Sequence, residues 1–186
     1  MPYPSQTNRE NIINAASDLI ERDGVENLSL SSLAAELGIK APSLYRYVES
    51  KDALLHAVIE QTYNKLFEVY DAVIEEANGG TAEILLNLAK AHYAFAHQNP
   101  NTYMLAYFTP NPEFSGNPNM LRERAIAVQR IIEQISGKEN SLPAYRGLLA
   151  LVHGYIMLEL NGQFRRGGDL ERMLEQIVAA YLKGWK

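Results

Sequence analysis

Hydrogen-bonding and positively charged side chains are concentrated in residues 40–51, which contain three cations and one anion. Arg46 can form a bidentate hydrogen bond with guanine. The phenolic hydroxyls of Tyr45 and Tyr47 can donate to phosphate oxygens. A serine near a helix N-terminus, such as Ser43, can meet a base edge or a phosphate. These residue types predict contacts with double-stranded DNA, although each of them could also be a solvated surface group.

A short helix before this stretch is expected to support it. Apolar residues recur there at helical spacing and predict one apolar face, namely Leu30, Leu33, Ala34 and Leu37. Ser29 is a good N-cap for this helix. Gly38 is expected to end it, because glycine takes the left-handed conformation that a C-cap needs.

A second short helix is expected to carry the DNA-contacting side chains. It would begin at Pro42, where the missing N–H costs nothing, and end at residue 47 or 48. Leu44 and Val48 lie four residues apart and would face inward. Two helices joined by a tight turn predict a helix-turn-helix, in which one helix supports and the other enters the major groove.

The run 33–55, LAAELGIKAPSLYRYVESKDALL, resembles the DNA-binding segment of TetR-family transcriptional regulators. The family pattern, roughly L-A-x-x-L-G-V-x-x-x-x-L-Y-x-H/Y-F/V-x-x-K-x-x-L-L, is matched at nearly every fixed position. The resemblance is sharp over about residues 7–60 and diffuse afterwards. It implies that Tyr45, Tyr47 and Lys51 position the DNA backbone. Together with the residue chemistry it predicts the following DNA-binding set: Ser29, Ser31, Lys40, Ala41, Pro42, Ser43, Tyr45, Arg46, Tyr47 and Lys51.

The whole chain is expected to be all-α, with about nine helices and no strand. Residues 1–50 would form a three-helix DNA-binding domain, whose first helix starts at a capping box over Thr7–Glu10. Residues 51–186 would form a bundle for effector binding and dimerisation. It begins with one long helix from Ser50 to about Ala77. Thr109–Pro118 is expected to be a loop because it holds three prolines and a glycine.

Aromatic, Met and His side chains in the C-terminal part predict an effector pocket between helices, although such residues are also common in cores. The candidates are His92, Phe95, Tyr103, Met104, Tyr107, Phe108, Met120 and His153. The last two long helices carry much apolar surface, and the resemblance implies a four-helix dimer interface there; packing within one protomer is the alternative. That interface would contain Leu148, Leu151, Val152, Tyr155, Leu158, Leu170, Met173, Leu174, Ile177, Val178 and Tyr181.

The resemblance implies a repressor that binds a palindromic operator as a homodimer and responds to a small molecule. The chain holds four His and no Cys. We also find no Gly-rich phosphate loop and no metal-ligand spacing of His or Glu, so no enzyme, cofactor or metal is predicted. A formal net charge of −5 argues against DNA binding and favours the remaining alternative, a helical ligand carrier. With no signal peptide and no apolar run of about 18 residues, a cytoplasmic location is expected.

Overall fold

The computed structural model describes residues 7–110 and 118–185, which contain nine α-helices, one 3-10 turn at Val25–Asn27, and no strand. The all-α prediction is therefore confirmed. In chain order the helices are α1 (Arg9–Asp23), α2 (Leu30–Glu36), α3 (Ala41–Leu44), α4 (Lys51–Glu75), α5 (Thr81–Gln98), α6 (Pro100–Phe108), α7 (Met120–Ser136), α8 (Ser141–Leu160) and α9 (Leu170–Lys183). Most of the expected loop Thr109–Pro118 lies outside the described residues.

Contacts divide the chain into two compact units. The first comprises Met1–Lys65 and Asn99–Pro118, so it contains α1, α2, α3, the start of α4, and α6. The second comprises Leu66–Gln98 and Asn119–Lys186. Helix α4 thus contributes its N-terminal part to one core and its C-terminal part to the other.

The first unit is built around the inward faces of α1, α2, α3 and α4. Ile12, Ile20, Leu33, Leu44 and Leu54 are fully buried in this core. Their spacing along each short helix places them on a single face, so burying that face fixes how the helices pack.

Helix α1 begins differently from the sequence expectation. Its N-cap is Asn8, whose side chain accepts a hydrogen bond from the backbone N–H of Asn11 at 2.8 Å. The predicted capping box of Thr7 and Glu10 is therefore wrong. Asparagine is a stronger N-cap than threonine, which accounts for the start at Asn8.

The second unit is a bundle in which α5, α7, α8 and α9 pack against one another. Polar contacts fix their register. Lys90 and Glu175 join α5 to α9 with Nζ and Oε1 2.7 Å apart. The Tyr181 hydroxyl donates to the carbonyl of Ala144 at 2.9 Å and lies directly over Gly147, where an added Cβ would approach the hydroxyl oxygen to 2.2 Å. Glycine at this position lets α9 approach α8 closely.

Candidate nucleic-acid interface

The turn between α2 and α3 is built by a glycine C-cap. Gly38 has φ +65°, its N–H donates to the carbonyl of Ala35 at 3.1 Å, and the N–H of Ile39 donates to that of Ala34 at 3.0 Å. This pair of bonds is the Schellman arrangement. It satisfies two carbonyls that the end of α2 would otherwise leave without partners, and it turns the chain sharply into α3.

Serines begin α2 and α4. The Ser29 hydroxyl accepts from the N–H of Ser32 at 2.9 Å, and the Ser32 hydroxyl accepts from the N–H of Ser29 at 3.0 Å. The prediction of Ser29 as N-cap is confirmed, with Ser32 in the reciprocal role that glutamate often fills. The Ser50 hydroxyl accepts from the N–H of Ala53 at 3.0 Å, which confirms the expected start of the long helix.

Helix α3 is shorter than the sequence predicts. It begins at Ala41, with Pro42 as its second residue, and ends at Leu44 rather than at residue 47 or 48. The N–H of Tyr47 donates to the carbonyl of Leu44 at 2.9 Å, a three-residue spacing that tightens the last turn. The tightened turn still brings Val48 into the core, where it is 5% exposed.

The predicted DNA-binding residues separate by exposure. Tyr45 is 60% exposed, which is unusual for so large a ring. The other exposed members are Ser29, Ser31, Lys40, Pro42 and Arg46, and the half-buried ones are Ala41, Ser43, Tyr47 and Lys51. Ala41 and Tyr47 pack against the core of the first unit. Tyr45 and Arg46 therefore form the outer surface of the turn that Leu44 and Val48 anchor from within.

The predicted effector residues fall in both units. Helix α6, in the first unit, carries Tyr103, which is fully buried, together with Met104, Tyr107 and the exposed Phe108. In the second unit, His92, Phe95 and Met120 are buried and His153 is half-buried.

His92 lies at the centre of a polar cluster that sequence reasoning described only in part. Its Nδ1 is 2.6 Å from the hydroxyl of Tyr70, with which it shares a hydrogen bond. Burial, together with the nearby His153, lowers the pKa of His92 to about 3. Burial, with a contribution from Tyr145, also raises the pKa of the Tyr70 phenol. His92 is thus a neutral imidazole at physiological pH.

A second polar cluster was missed. The Tyr93 hydroxyl donates to Glu159 Oε1 at 2.8 Å, and His97 Nε2 lies 3.2 Å from the same oxygen. Tyr93 and His97 are four residues apart on α5, a spacing that does indicate a shared face. Their partner on α8 is 66 residues away from Tyr93, and no local pattern could have identified it.

The low pKa of His92 predicts a pH dependence of stability. Between about pH 6.5 and pH 3 the unfolded chain binds a proton at this histidine and the folded chain does not. The free energy of unfolding therefore falls as the pH drops through this window, by up to about 1.4 kcal/mol per pH unit from this group. Urea unfolding of wild type and His92→Gln between pH 7 and pH 5 should show a shallower slope for the variant.

The slopes of wild type and His92→Gln are compared only above pH 5. Above pH 5 most carboxylates of ordinary pKa remain ionised, so they contribute little to the difference between the curves. Parallel curves for wild type and His92→Gln would show that His92 is not the titrating group.

The residues predicted to form the dimer interface include both buried and exposed side chains. Leu148, Val152, Leu174 and Val178 are buried within the protomer, whereas Leu158, Met173 and Ile177 are 40–47% exposed. Between α8 and α9 lies an open groove of about 690 Å³. Its lining is mainly apolar and includes Tyr155, Phe164, Leu170, Met173 and Ile177, together with Arg165 and Arg166.

The described part of the chain contains neither a metal-binding cluster nor a membrane-spanning helix. Within residues 7–110 and 118–185, no group of three or more His, Asp or Glu side chains is arranged to hold a metal ion. Over those same residues, no helix combines the length and apolar character needed to span a membrane.

An all-helical chain with a capped helix-turn-helix and an exposed Tyr-Arg pair belongs to the helix-turn-helix class of DNA-binding regulators. Comparison with known proteins identifies the family. The family model "Bacterial regulatory proteins, tetR family" matches residues 12–58, and "Tetracyclin repressor-like, C-terminal domain" matches residues 85–181. The chain belongs to the TetR family of transcriptional regulators, which are not enzymes.

Individual relatives agree with this assignment. The HTH-type transcriptional regulator YobS of Bacillus subtilis (strain 168) is 26% identical over 93% of this chain and 90% of its own length. A protein of unknown function from Rhodococcus sp. RHA1 shares the fold with a TM-score of 0.86 at 22% identity, covering 100% of this chain and 98% of that one. A TetR variant from Acinetobacter baumannii AYE, crystallised with minocycline, has a TM-score of 0.72 at 20% identity, with 96% of each chain covered.

Proposed function

We propose that this TetR-family regulator is a ligand-responsive repressor that binds a palindromic operator as a homodimer. Residues 1–50 form the DNA-binding domain, and residues 51–186 form the effector-binding and dimerisation domain. The observation that carries the proposal is the pair Tyr45 and Arg46, exposed on a turn whose inner residues Leu44 and Val48 are buried. Neither of these two side chains packs in the core, and both carry hydrogen-bonding groups that can contact DNA in the major groove.

Placement of charge explains how an acidic chain binds DNA. The net charge is −5, yet Lys40, Arg46 and Lys51 all lie on or beside the helix-turn-helix. Because Arg46 reads a base in this proposal, Lys40 and Lys51 are the cations left to neutralise phosphates, about four in a dimer. The logarithm of affinity should therefore fall with the logarithm of salt concentration with a slope of roughly −4. A modest slope of this kind means that base contacts carry a large share of the binding.

The homodimer is supported by the exposed apolar residues of α8 and α9. Met173 and Ile177 line an apolar groove, and Leu158 is a further exposed apolar residue on α8. An exposed apolar surface of this kind is typical of a protein–protein interface. A two-fold interface pairs the same patch on both protomers. The two identical DNA-binding domains of the dimer then bind two inverted half-sites, so the operator is expected to be palindromic.

Ligand response is supported by the second unit. Its interior holds neutral hydrogen-bonding groups at His92 and Tyr70, which could orient a small molecule among buried apolar side chains. A structural relative of the same fold has been crystallised with minocycline. The ligand would favour one spacing of the two DNA-binding domains of the dimer. In that conformation the protein releases the operator.

Because its target is chromosomal DNA, we place the protein in the cytoplasm.

Selection of genomic DNA fragments by the purified protein tests the proposal. We expect recovery of a palindromic site by wild type. Arg46→Ala should weaken binding to that site by about 1–3 kcal/mol and relax the preference at one base pair, because it removes a bidentate base contact. Tyr45→Phe should weaken binding to all sequences alike, because it removes a phosphate donor.

Arg146→Ala is the matched control, because Arg146 is also an exposed arginine and lies on α8 of the second unit. It should leave selection unchanged. If Arg46→Ala discriminates between bases as the wild type does, Arg46 does not contact a base in the operator. Failure of the wild type to enrich any fragment at low salt would favour the ligand carrier instead.

A further inference from the structure

His97, near the end of α5, places both of its ring nitrogens against oxygen atoms. Nδ1 lies 2.9 Å from the backbone carbonyl oxygen of Tyr93, and Nε2 lies 3.2 Å from Oε1 of Glu159 on α8. The His97 ring also packs on the ring of Tyr93, with the centroids 4.1 Å apart and 31° between the planes. These contacts fix the orientation of the imidazole, so each ring nitrogen has one defined partner.

Both partner oxygens act as acceptors. A carbonyl oxygen can only accept, and Oε1 of Glu159 already accepts from the Tyr93 hydroxyl at 2.8 Å. A neutral imidazole has a proton on one nitrogen and a lone pair on the other, so one of the two contacts of His97 would bring a lone pair against an oxygen. An imidazolium has a proton on each nitrogen. The geometry therefore fits a His97 ring that carries both protons.

The surroundings of the Glu159 carboxylate favour a positive charge beside it. Its side chain is only 16% exposed, and Oε2 is buried without a hydrogen-bond partner among the described residues. An ionised carboxylate is costly to bury unless a positive charge is close to it. Within residues 7–110 and 118–185, the ion-pair partner of Glu159 is His97 alone.

The other charged groups near this site come from α9 and its N-cap. The carboxylates of Asp169 and Glu171 lie close enough to interact electrostatically with tyrosines of the site, so they add negative charge. Lys90, the lysine of α5, is already paired with Glu175, with Nζ and Oε1 2.7 Å apart. A protonated His97 is therefore the group that offsets the buried negative charge.

We infer that His97 and Glu159 form a proton-binding site, in which an imidazolium near neutral pH links the end of α5 to α8. When the proton is lost, one ring nitrogen faces an oxygen with a lone pair, and the remaining hydrogen bond loses the charge that strengthens it. The link is strongest with the proton bound and weakens as the pH rises, the opposite direction to the effect of His92. The site lies within the second unit and does not depend on the proposed DNA binding.

The first arm of the test detects the proton, by NMR of the full-length protein with nitrogen-15 in its histidines. The spectra distinguish an imidazolium from either neutral tautomer, and loss of one signal in His97→Gln assigns it. At pH 7.5 an ordinary histidine is about nine-tenths neutral. We expect His97 to be mostly imidazolium at that pH. A neutral His97 in the wild type would overturn the inference.

Glu159→Gln keeps the shape of the side chain and removes its charge, and it should leave His97 mostly neutral at pH 7.5. Glu175→Gln is the matched control, because it removes another carboxylate that pairs with α5 but does not contact His97. It should leave the His97 signal unchanged. If His97 stays charged in Glu159→Gln, the carboxylate is not what holds the proton, and the site is wrong.

The second arm measures the link, by hydrogen exchange over residues 157–164 at two pH values on either side of the His97 transition. After correction for intrinsic exchange, protection in the wild type should fall at least threefold at the higher pH. His97→Gln should show no such fall, because a glutamine amide can donate to Glu159 at any pH.

Each remaining outcome counts against the link. Constant protection in the wild type would mean that the proton is bound without holding α8 to α5. An equal fall in wild type and His97→Gln would place the pH effect elsewhere in the second unit. A His97 ring that stays charged up to pH 9 would overturn the pH dependence of the link while leaving the ion pair in place.

Discussion

Leu44→Ala should lower the free energy of unfolding by about 2–5 kcal/mol and abolish operator binding. Leu44 is fully buried and lies in a helix of only four residues. Such a helix has almost no stability of its own, because its formation pays the cost of nucleation for very few hydrogen bonds. Its position depends on the side chain that it inserts into the core. Urea unfolding gives the first quantity, and titration of the selected operator gives the second.

Leu44→Met is the matched control, since it keeps the volume and apolar character of the side chain. We expect a cost below about 1.5 kcal/mol and operator binding near that of wild type. The operator affinities of Leu44→Ala and wild type are compared at a temperature where most of the alanine variant is still folded. If that variant binds the operator with wild-type affinity there, the placement of Tyr45 and Arg46 does not depend on the anchoring of α3.

The helix-turn-helix could be predicted from the sequence because its determinants are local. The cap at Ser29, the turn at Gly38 and the inward residues Leu44 and Val48 lie within twenty residues of one another. Each is a short-range preference, and all of them agree. The family motif lies over the same residues, and the two lines of reasoning converge there.

Other features were beyond local reasoning, since they depend on partners distant in sequence. The cap of α6 comes from Glu21, about 80 residues earlier. The partner that Tyr93 finds at Glu159 is 66 residues later. Propensity and periodicity do not identify such pairs.

Apolar spacing also does not distinguish a residue that packs within its own protomer from one that faces a partner. On α9, Leu174 and Val178 are buried inside the second unit, while Met173 and Ile177 are about 40% exposed. All four belong to one amphipathic pattern. The proposed interface is therefore limited to the exposed residues, and a substitution there would change association without disturbing the core.

Ile177→Asp should weaken the proposed homodimer at least 100-fold, a change of about 2.7 kcal/mol. An aspartate on an exposed face costs an isolated protomer little. At the centre of an apolar interface it would bury an unpaired charge from each protomer. Sedimentation at graded concentrations measures the shift, and circular dichroism checks that the helices persist. Operator binding should fall with dimerisation, since a single head contacts only one half-site.

Leu149→Asp makes the same chemical change at a similar exposure, since Leu149 is 37% exposed on α8. It lies nine residues before Leu158, which places it roughly half a turn away around the helix. If α8 and α9 pair through the face that holds Leu158, Met173 and Ile177, this control dimerises as wild type does. A monomer from Leu149→Asp and a dimer from Ile177→Asp would move the interface to the opposite face of α8. A stable wild-type monomer at micromolar concentration would instead contradict the homodimer, because no second copy of the chain would cover the apolar groove.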